Sequence, residues 1–123
     1  MKALIVDDSL TIRRIVKKAL GIVGINDAVE AEDGCDALEA VNKTNDFDLI
    51  LLDWNMPKMS GIEALRTLRQ AGNKTPVIMV TTEAEKSRVI DAIKTGANDY
   101  LIKPFSPDQL AAKVKNVIGA AAQ

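Results

Sequence analysis

Histidine is absent from the sequence. That excludes imidazole acid–base catalysis, imidazole metal ligation and a phosphohistidine on this chain. Cysteine occurs once, as Cys35, so an internal disulfide and a cysteine metal cluster are excluded, and a reducing cytosol is compatible with the composition. A cysteine nucleophile lacks its usual base here, and Cys35 reads as a small packed or half-exposed residue of the second helix, without chemistry. Aromatics are confined to Phe47, Trp54, Tyr100 and Phe105. No apolar run approaches the ~18 residues of a membrane span. The start carries one Lys and a short apolar run into two acids, so no secretory signal is expected and the expected location is cytoplasmic. An excess of one charge is missing too. The 16 Lys and Arg face 17 Asp and Glu, a net charge of −1, which disfavours nonspecific nucleic-acid binding. Chemistry is left to carboxylates, hydroxyls, Lys, Arg and amides.

What is present is a globular pattern. Hydrophobic residues make up 47% of 123 and charged residues 27%, which predicts one soluble domain over residues 1–123, expected to be a monomer. Short apolar runs rich in Val, Ile and Leu occur at Ala3–Val6, Ala28–Ala31, Leu49–Leu52, Val77–Val80 and Tyr100–Ile102. Their lack of alternation predicts strands buried on both faces, the mark of a parallel sheet. Between them lie stripes at helical spacing. They are Ile12, Ile15, Val16, Ala19, Leu20 and Val23; Ala37, Leu38 and Val41; Ile62, Leu65 and Leu68; Ile90, Ile93 and Ala97; and Leu110, Val114, Val117 and Ile118. Ser60 with Glu63, Thr82 with Glu85, and Ser106 with Gln109 predict capping boxes, with Pro107 opening the last helix. Gly24, Gly72, Gly96 and Gly119 are predicted to end helices, and residues 120–123 to fray.

Alternating strands and helices give an α/β fold. The expected form is a doubly wound five-stranded parallel sheet of order 2-1-3-4-5, flavodoxin-like, with right-handed crossovers. Ligands meet such a sheet at the carboxyl ends of its strands, near the switch point between strands 1 and 3. There the sequence places Asp7 and Asp8 after strand 1, Asp53 after strand 3, Thr81 after strand 4 and Lys103 after strand 5. Glu30 and Glu32 end strand 2 at the rim. A single Asp after a strand is ordinarily a turn former or a cap. Three together repel, by about 3 kcal/mol per pair at ~5 Å and an effective dielectric of ~20. A hard divalent cation reverses that sign, and Mg²⁺ keeps positions open for phosphate oxygens. Acids, Lys and Thr around Mg²⁺ form a set suited to phosphoryl transfer, with Asp as the nucleophile.

Val6-Asp7-Asp8-Ser9, Leu52-Asp53-Trp54-Asn55-Met56-Pro57, Val80-Thr81-Thr82-Glu83 and Ile102-Lys103-Pro104-Phe105 resemble the receiver domains of two-component response regulators. The resemblance spans about Lys2 to Ile118 and is closest to the stand-alone chemotaxis type. It implies that Asp53 is the phosphoacceptor, supplied by a histidine kinase of the chemotaxis type. It implies that Asp8, Asp53 and the backbone carbonyl of Asn55 ligate Mg²⁺, with Asp7 holding it through water. Lys103 is implied to contact the phosphoryl oxygens, with a cis bond before Pro104. Thr81 and Tyr100 are the implied switch pair, Tyr100 turning from outside to inside. Asn55 and Glu83 are implied to tune the phosphate lifetime. A face bearing Lys86, Val89, Tyr100 and Lys113 is the expected partner surface, read by a flagellar motor switch protein, with a phosphatase as a further partner. The protein is then expected to be no enzyme beyond assisting its own phosphorylation and dephosphorylation. Thr82 departs from the Ala, Gly or Ser usual after the switch Thr, and either narrows access to Asp53 or caps the fourth helix.

Other functions compete. A receiver of this kind also serves in a phosphorelay or controls another enzyme. A Mg²⁺-dependent aspartyl-phosphate phosphatase wants a second Asp where Asn55 stands. A flavodoxin-like carrier wants a hydroxyl-rich loop where Asp7 and Asp8 stand. A degenerate docking receiver is disfavoured by the intact acids, Thr and Lys. Trp54 reads as a shield above the site. Arg13, Arg14, Lys17 and Lys18 read as a solvated stripe, and Val89 as either an exposed apolar residue beside Tyr100 or partial core.

Overall fold

Apolar runs too short for helices form the sheet, and the amphipathic stretches between them cover it. The computed structural model describes residues 1–121. The elements are β1 (Lys2–Val6), α1 (Leu10–Ile22), β2 (Asp27–Ala31), α2 (Gly34–Thr44), β3 (Leu49–Leu52), α3 (Gly61–Gln70), β4 (Val77–Thr81), α4 (Lys86–Thr95), β5 (Asp99–Ile102) and α5 (Pro107–Ala121). All strand pairs are parallel, in the order β2-β1-β3-β4-β5. The sheet matches the topology expected from the sequence.

Side chains alternate across the sheet, and both faces are apolar, which is why the runs are unbroken. Leu4, Val6, Ile50, Leu52, Val77 and Met79 pack in one layer with Ala37 and Val41 of α2, Ile62, Leu65 and Leu68 of α3, and Ala92 of α4. Ala3, Ile5, Leu49, Leu51, Ile78 and Val80 pack in the other with Val16, Ala19 and Leu20 of α1 and Leu110, Val114 and Val117 of α5. Each fully buried Leu, Ile or Val stabilises the fold by about 1.5–3 kcal/mol before conformational entropy is counted.

The helix ends carry their own chemistry. Ser60 caps α3, its oxygen accepting from the Glu63 amide at 3.3 Å. Ser106 and Gln109 make a reciprocal box at α5, with bonds of 2.9 and 3.2 Å. Ser9 and Asp33 also cap, accepting from the amides of Ile12 and Asp36. Gly24, Gly72 and Gly96 follow α1, α3 and α4 with positive φ, as expected.

Three expectations are corrected. Thr82 caps nothing: α4 starts at Lys86, after Glu85, which makes no side-chain cap bond. The chain first turns over the end of β4, where the Glu83 amide donates to Thr81 Oγ1 at 3.3 Å. Gly119 does not stop α5, which continues to Ala121. A glycine inside a helix weakens it by about 0.5–1 kcal/mol but does not end it. The fraying expected for 120–123 concerns a segment that is helical through Ala121, and residues 122–123 lie outside the described residues. Finally, Ile90 and Ile93 are 42% and 47% exposed, while Ala92 is fully buried and Val89 packs against the core; Ala97, past the end of α4, is buried as expected. The pairs 89/92 and 90/93 share one spacing, so spacing alone cannot choose between them.

Candidate functional site

The switch point brings the strand ends together. The Asp7 amide continues the ladder by donating to Ala31 O at 3.1 Å, and the Asp53 amide donates to Val6 O at 3.0 Å. Lys103, past the end of β5, donates its amide to Thr81 O at 2.9 Å, and the Lys103–Pro104 bond is cis, as expected. These backbone bonds fix four side chains on one edge. Asp7, Asp53 and Thr81 are buried, and Asp8 is exposed. The Lys103 ammonium spans the two buried acids, 2.7 Å from Asp7 Oδ2 and 3.1 Å from Asp53 Oδ2. The other Asp53 oxygen accepts from the Trp54 amide at 2.7 Å, and Asp7 Oδ1 from the Ser9 amide at 2.9 Å.

One carboxylate oxygen from each of Asp7, Asp8 and Asp53 lies within 4.8 Å of the others. Burial pushes the Asp7 carboxyl above its ordinary value, against the Lys103 and Ser9 hydrogen bonds, and the neighbouring Asp53 charge adds to the rise. Burial alone would lower the Lys103 ammonium. The Asp7 hydrogen bond and the charge of Asp53 outweigh it, and Lys103 is held above its usual range. The donor set is all hard carboxylate oxygen, open to solvent through Asp8, and it fits Mg²⁺ better than a soft or borderline metal.

Around this centre the loops are tied to each other. Asn55, exposed after β3, donates its amide to Glu83 Oε1 at 2.9 Å, so the two residues expected to act together are in contact. Thr82 is exposed beside them. Tyr100 is buried, and its hydroxyl donates to Glu83 O at 2.6 Å, so the ring points inward. A phenol with a backbone acceptor in reach has no reason to seek solvent. Burial, and secondarily the Glu83 charge, push the Tyr100 hydroxyl up to about 12 from 10.0. A raised phenol value leaves stability intact below pH 10 and removes it progressively as pH rises toward 12. Tyr100 is the single tyrosine, so its absorbance titration reads this directly. We expect a tyrosinate midpoint near 12 in folded protein; a midpoint near 10 would mean an outward ring.

Two further residues depart from expectation. Trp54 does not shield the site from above; its indole is buried in the core layer with Arg88 stacked 5.3 Å from the ring centre. Arg13 is not part of a solvated stripe. It is buried, donating to Asp7 O from Nη1 and to Glu30 from Nε. Of the expected partner surface, Lys86 is exposed, Lys113 pairs with Asp99 at 3.0 Å, and Val89 and Tyr100 are partly or fully withdrawn. The apolar exposure on α4 and β5 comes instead from Ile90, Ile93 and Ile102. Cys35 is exposed on α2.

Residues 3–115 match the family described as "Response regulator receiver domain". The chain belongs to the response regulator receiver family. As a receiver it is 45% identical over 121 residues to "Chemotaxis protein CheY homolog" of Campylobacter jejuni, covering 97% of this chain and 93% of that protein. It is 43% identical to "Chemotaxis protein CheY1" of Helicobacter pylori, covering 97% and 98%. Among solved structures, a Francisella response regulator 1452 receiver domain superposes with a TM-score of 0.88 at 37% identity, covering 98% of each chain. Receivers are phosphoacceptors of two-component signalling that bind Mg²⁺ at an acidic pocket. No helix among the described residues is long and apolar enough to cross a membrane.

Proposed function

We propose that this receiver is a chemotaxis switch that takes a phosphoryl group on Asp53 from a histidine kinase in the cytoplasm. The observation that carries the reading is Lys103 spanning Asp7 and Asp53 at 2.7 and 3.1 Å beside Asp8. An Asp53 oxygen attacks phosphorus; the new O–P bond forms as the donor's N–P bond breaks, and the imidazole leaves. The Trp54 amide and the Lys103 ammonium hold the two Asp53 oxygens in place, so the carboxylate is oriented before a donor arrives. Lys103 then meets the charge on the transferred oxygens. Asp8, Asp53 and the Asn55 carbonyl would hold Mg²⁺, with Asp7 acting through water; the ion supplies neutralising charge for the transferred group. Asn55 and Glu83 would tune the phosphate lifetime at the mouth of the site. The Asn55 amide offers no carboxyl for turnover of outside esters, so the protein acts on its own phosphate rather than as a phosphatase.

Output follows from the Glu83 backbone, held at its amide by Thr81 and at its carbonyl by Tyr100. A phosphoryl group on Asp53 draws the Thr81 hydroxyl toward it, and Glu83, Tyr100 and the start of α4 follow. The face carrying Lys86, Ile90 and Ile93 on α4 is then read by a flagellar motor switch protein. Phosphodonor and Mg²⁺ should raise the parent protein's affinity for a motor-switch peptide. Thr81→Ala should accept phosphate yet lose roughly tenfold of that gain, a coupling of about 1.4 kcal/mol. An equal phosphate-dependent gain in Thr81→Ala would place the switch elsewhere.

A further inference from the structure

Arg13 is the one charged side chain of α1 that is buried, at 7% exposure. A buried guanidinium needs its donors satisfied. Its Nε donates to Glu30 Oε1 at 2.9 Å, and Nη2 lies 3.8 Å from Glu32 Oε1. Its Nη1 donates to the backbone oxygen of Asp7 at 2.6 Å, a buried bond. That carbonyl belongs to the peptide that joins Asp7 to Asp8. Glu30 itself is braced by Lys17 at 3.1 Å, so the guanidinium is held from the rim of the sheet. Asp7 is thereby fixed at four points: amide to Ala31, carbonyl to Arg13, and the two carboxylate oxygens to Ser9 and Lys103. Asp8 has only its backbone to aim it, and Arg13 sets the plane of the peptide on its N-terminal side.

We propose that Arg13 is a positioning residue for the acid pair. Held by Glu30, it fixes the Asp7–Asp8 peptide and so sets the geometry at which both carboxylates meet a divalent cation. This rests on the reading of the acid cluster as a Mg²⁺ site.

Charge and geometry predict opposite signs, which makes the role separable. Removing a positive charge beside a dication site strengthens binding if only electrostatics act. Loss of an outer partner that orients ligands weakens it, typically by about tenfold or more. The test uses Arg13→Met, which keeps the buried stem and helix propensity, and Arg13→Lys, which keeps the charge but cannot serve both Asp7 O and Glu30. Mg²⁺ is titrated on the full chain by the fluorescence of Trp54, whose amide touches Asp53. Amide exchange of Ser9 is followed without metal. We expect Mg²⁺ affinity about tenfold lower in Arg13→Met, an intermediate loss in Arg13→Lys, and faster Ser9 exchange in both. Equal or tighter Mg²⁺ binding in Arg13→Met overturns the proposal. Should Arg13→Met not fold, parent-like binding in Arg13→Lys overturns it. A parent protein that shows no Mg²⁺ response sinks the metal reading instead; Ser9 exchange then decides whether Arg13 positions the acids, and unchanged exchange overturns that.

Discussion

Asp53→Asn is expected to take up no phosphoryl group from a small phosphodonor and Mg²⁺, where the parent gains one. The substitution keeps the shape of the side chain. Its carbonyl oxygen can still accept from the Trp54 amide, as Asp53 Oδ1 does at 2.7 Å. What it loses is the negative charge, the ion pair to Lys103 at 3.1 Å and the nucleophilic lone pair. A carboxamide oxygen does not displace an imidazole or a carboxylate from phosphorus at neutral pH. Uptake should fall by roughly 10³-fold or more while the fold survives. Intact-mass measurement after timed incubation reads this, with a melting curve as the control for folding. An unchanged gain in mass at the parent rate would remove Asp53 from the role of acceptor.

Gly61→Ala is expected to damage both stability and phosphorylation, although Gly61 touches no substrate. A Cβ at Gly61 would overlap the carbonyl oxygen of Asp53 and stand 2.8 Å from its carbonyl carbon. The start of α3 lies directly on the backbone of Asp53, and the Gly61 amide donates to Trp54 O at 2.8 Å. Both sides of the clash are backbone, so relief requires α3 or the end of β3 to shift by more than ~1 Å. Overpacking of that kind destabilises by about 3 kcal/mol or more. A misplacement of ~1 Å at the acceptor can lower its reaction rate by roughly 10²-fold. Gly119→Ala is the contrast. A Cβ there meets nothing within 4 Å, and the position is inside α5. It should gain about 0.5–1 kcal/mol. Thermal denaturation and phosphodonor uptake of the two variants, side by side, separate a steric requirement from a glycine effect in general. Parent-like stability and uptake in Gly61→Ala would show that the approach is not so close.

The sequence by itself determined the sheet, its order and the residues gathered at its carboxyl edge. Short apolar runs alternating with amphipathic stretches point to a doubly wound parallel sheet, for which the order 2-1-3-4-5 is the common one at this size, and that topology then brings Asp7, Asp8, Asp53, Thr81 and Lys103 to one edge. Capping at Ser60 and Ser106 was legible for the same reason: the pattern and the bond that it makes are three residues apart. Only the tertiary structure decided the rest, because each remaining feature depends on a neighbour distant in sequence. Arg13 is buried because Glu30, 17 residues on, lies beside it across β1 and β2; locally it is one of four basic residues on α1. Tyr100 is inward because Glu83 O is within reach, a bond between segments 17 residues apart. Whether α4 buries Val89 and Ala92 or Ile90 and Ile93 was fixed by the layer beneath it, since the two pairs are equally spaced. Gly61 is required by the path of another backbone segment, which leaves no local mark in the sequence. Periodicity and spacing encode what a segment can do; the packing of its neighbours selects among the outcomes that they leave equal.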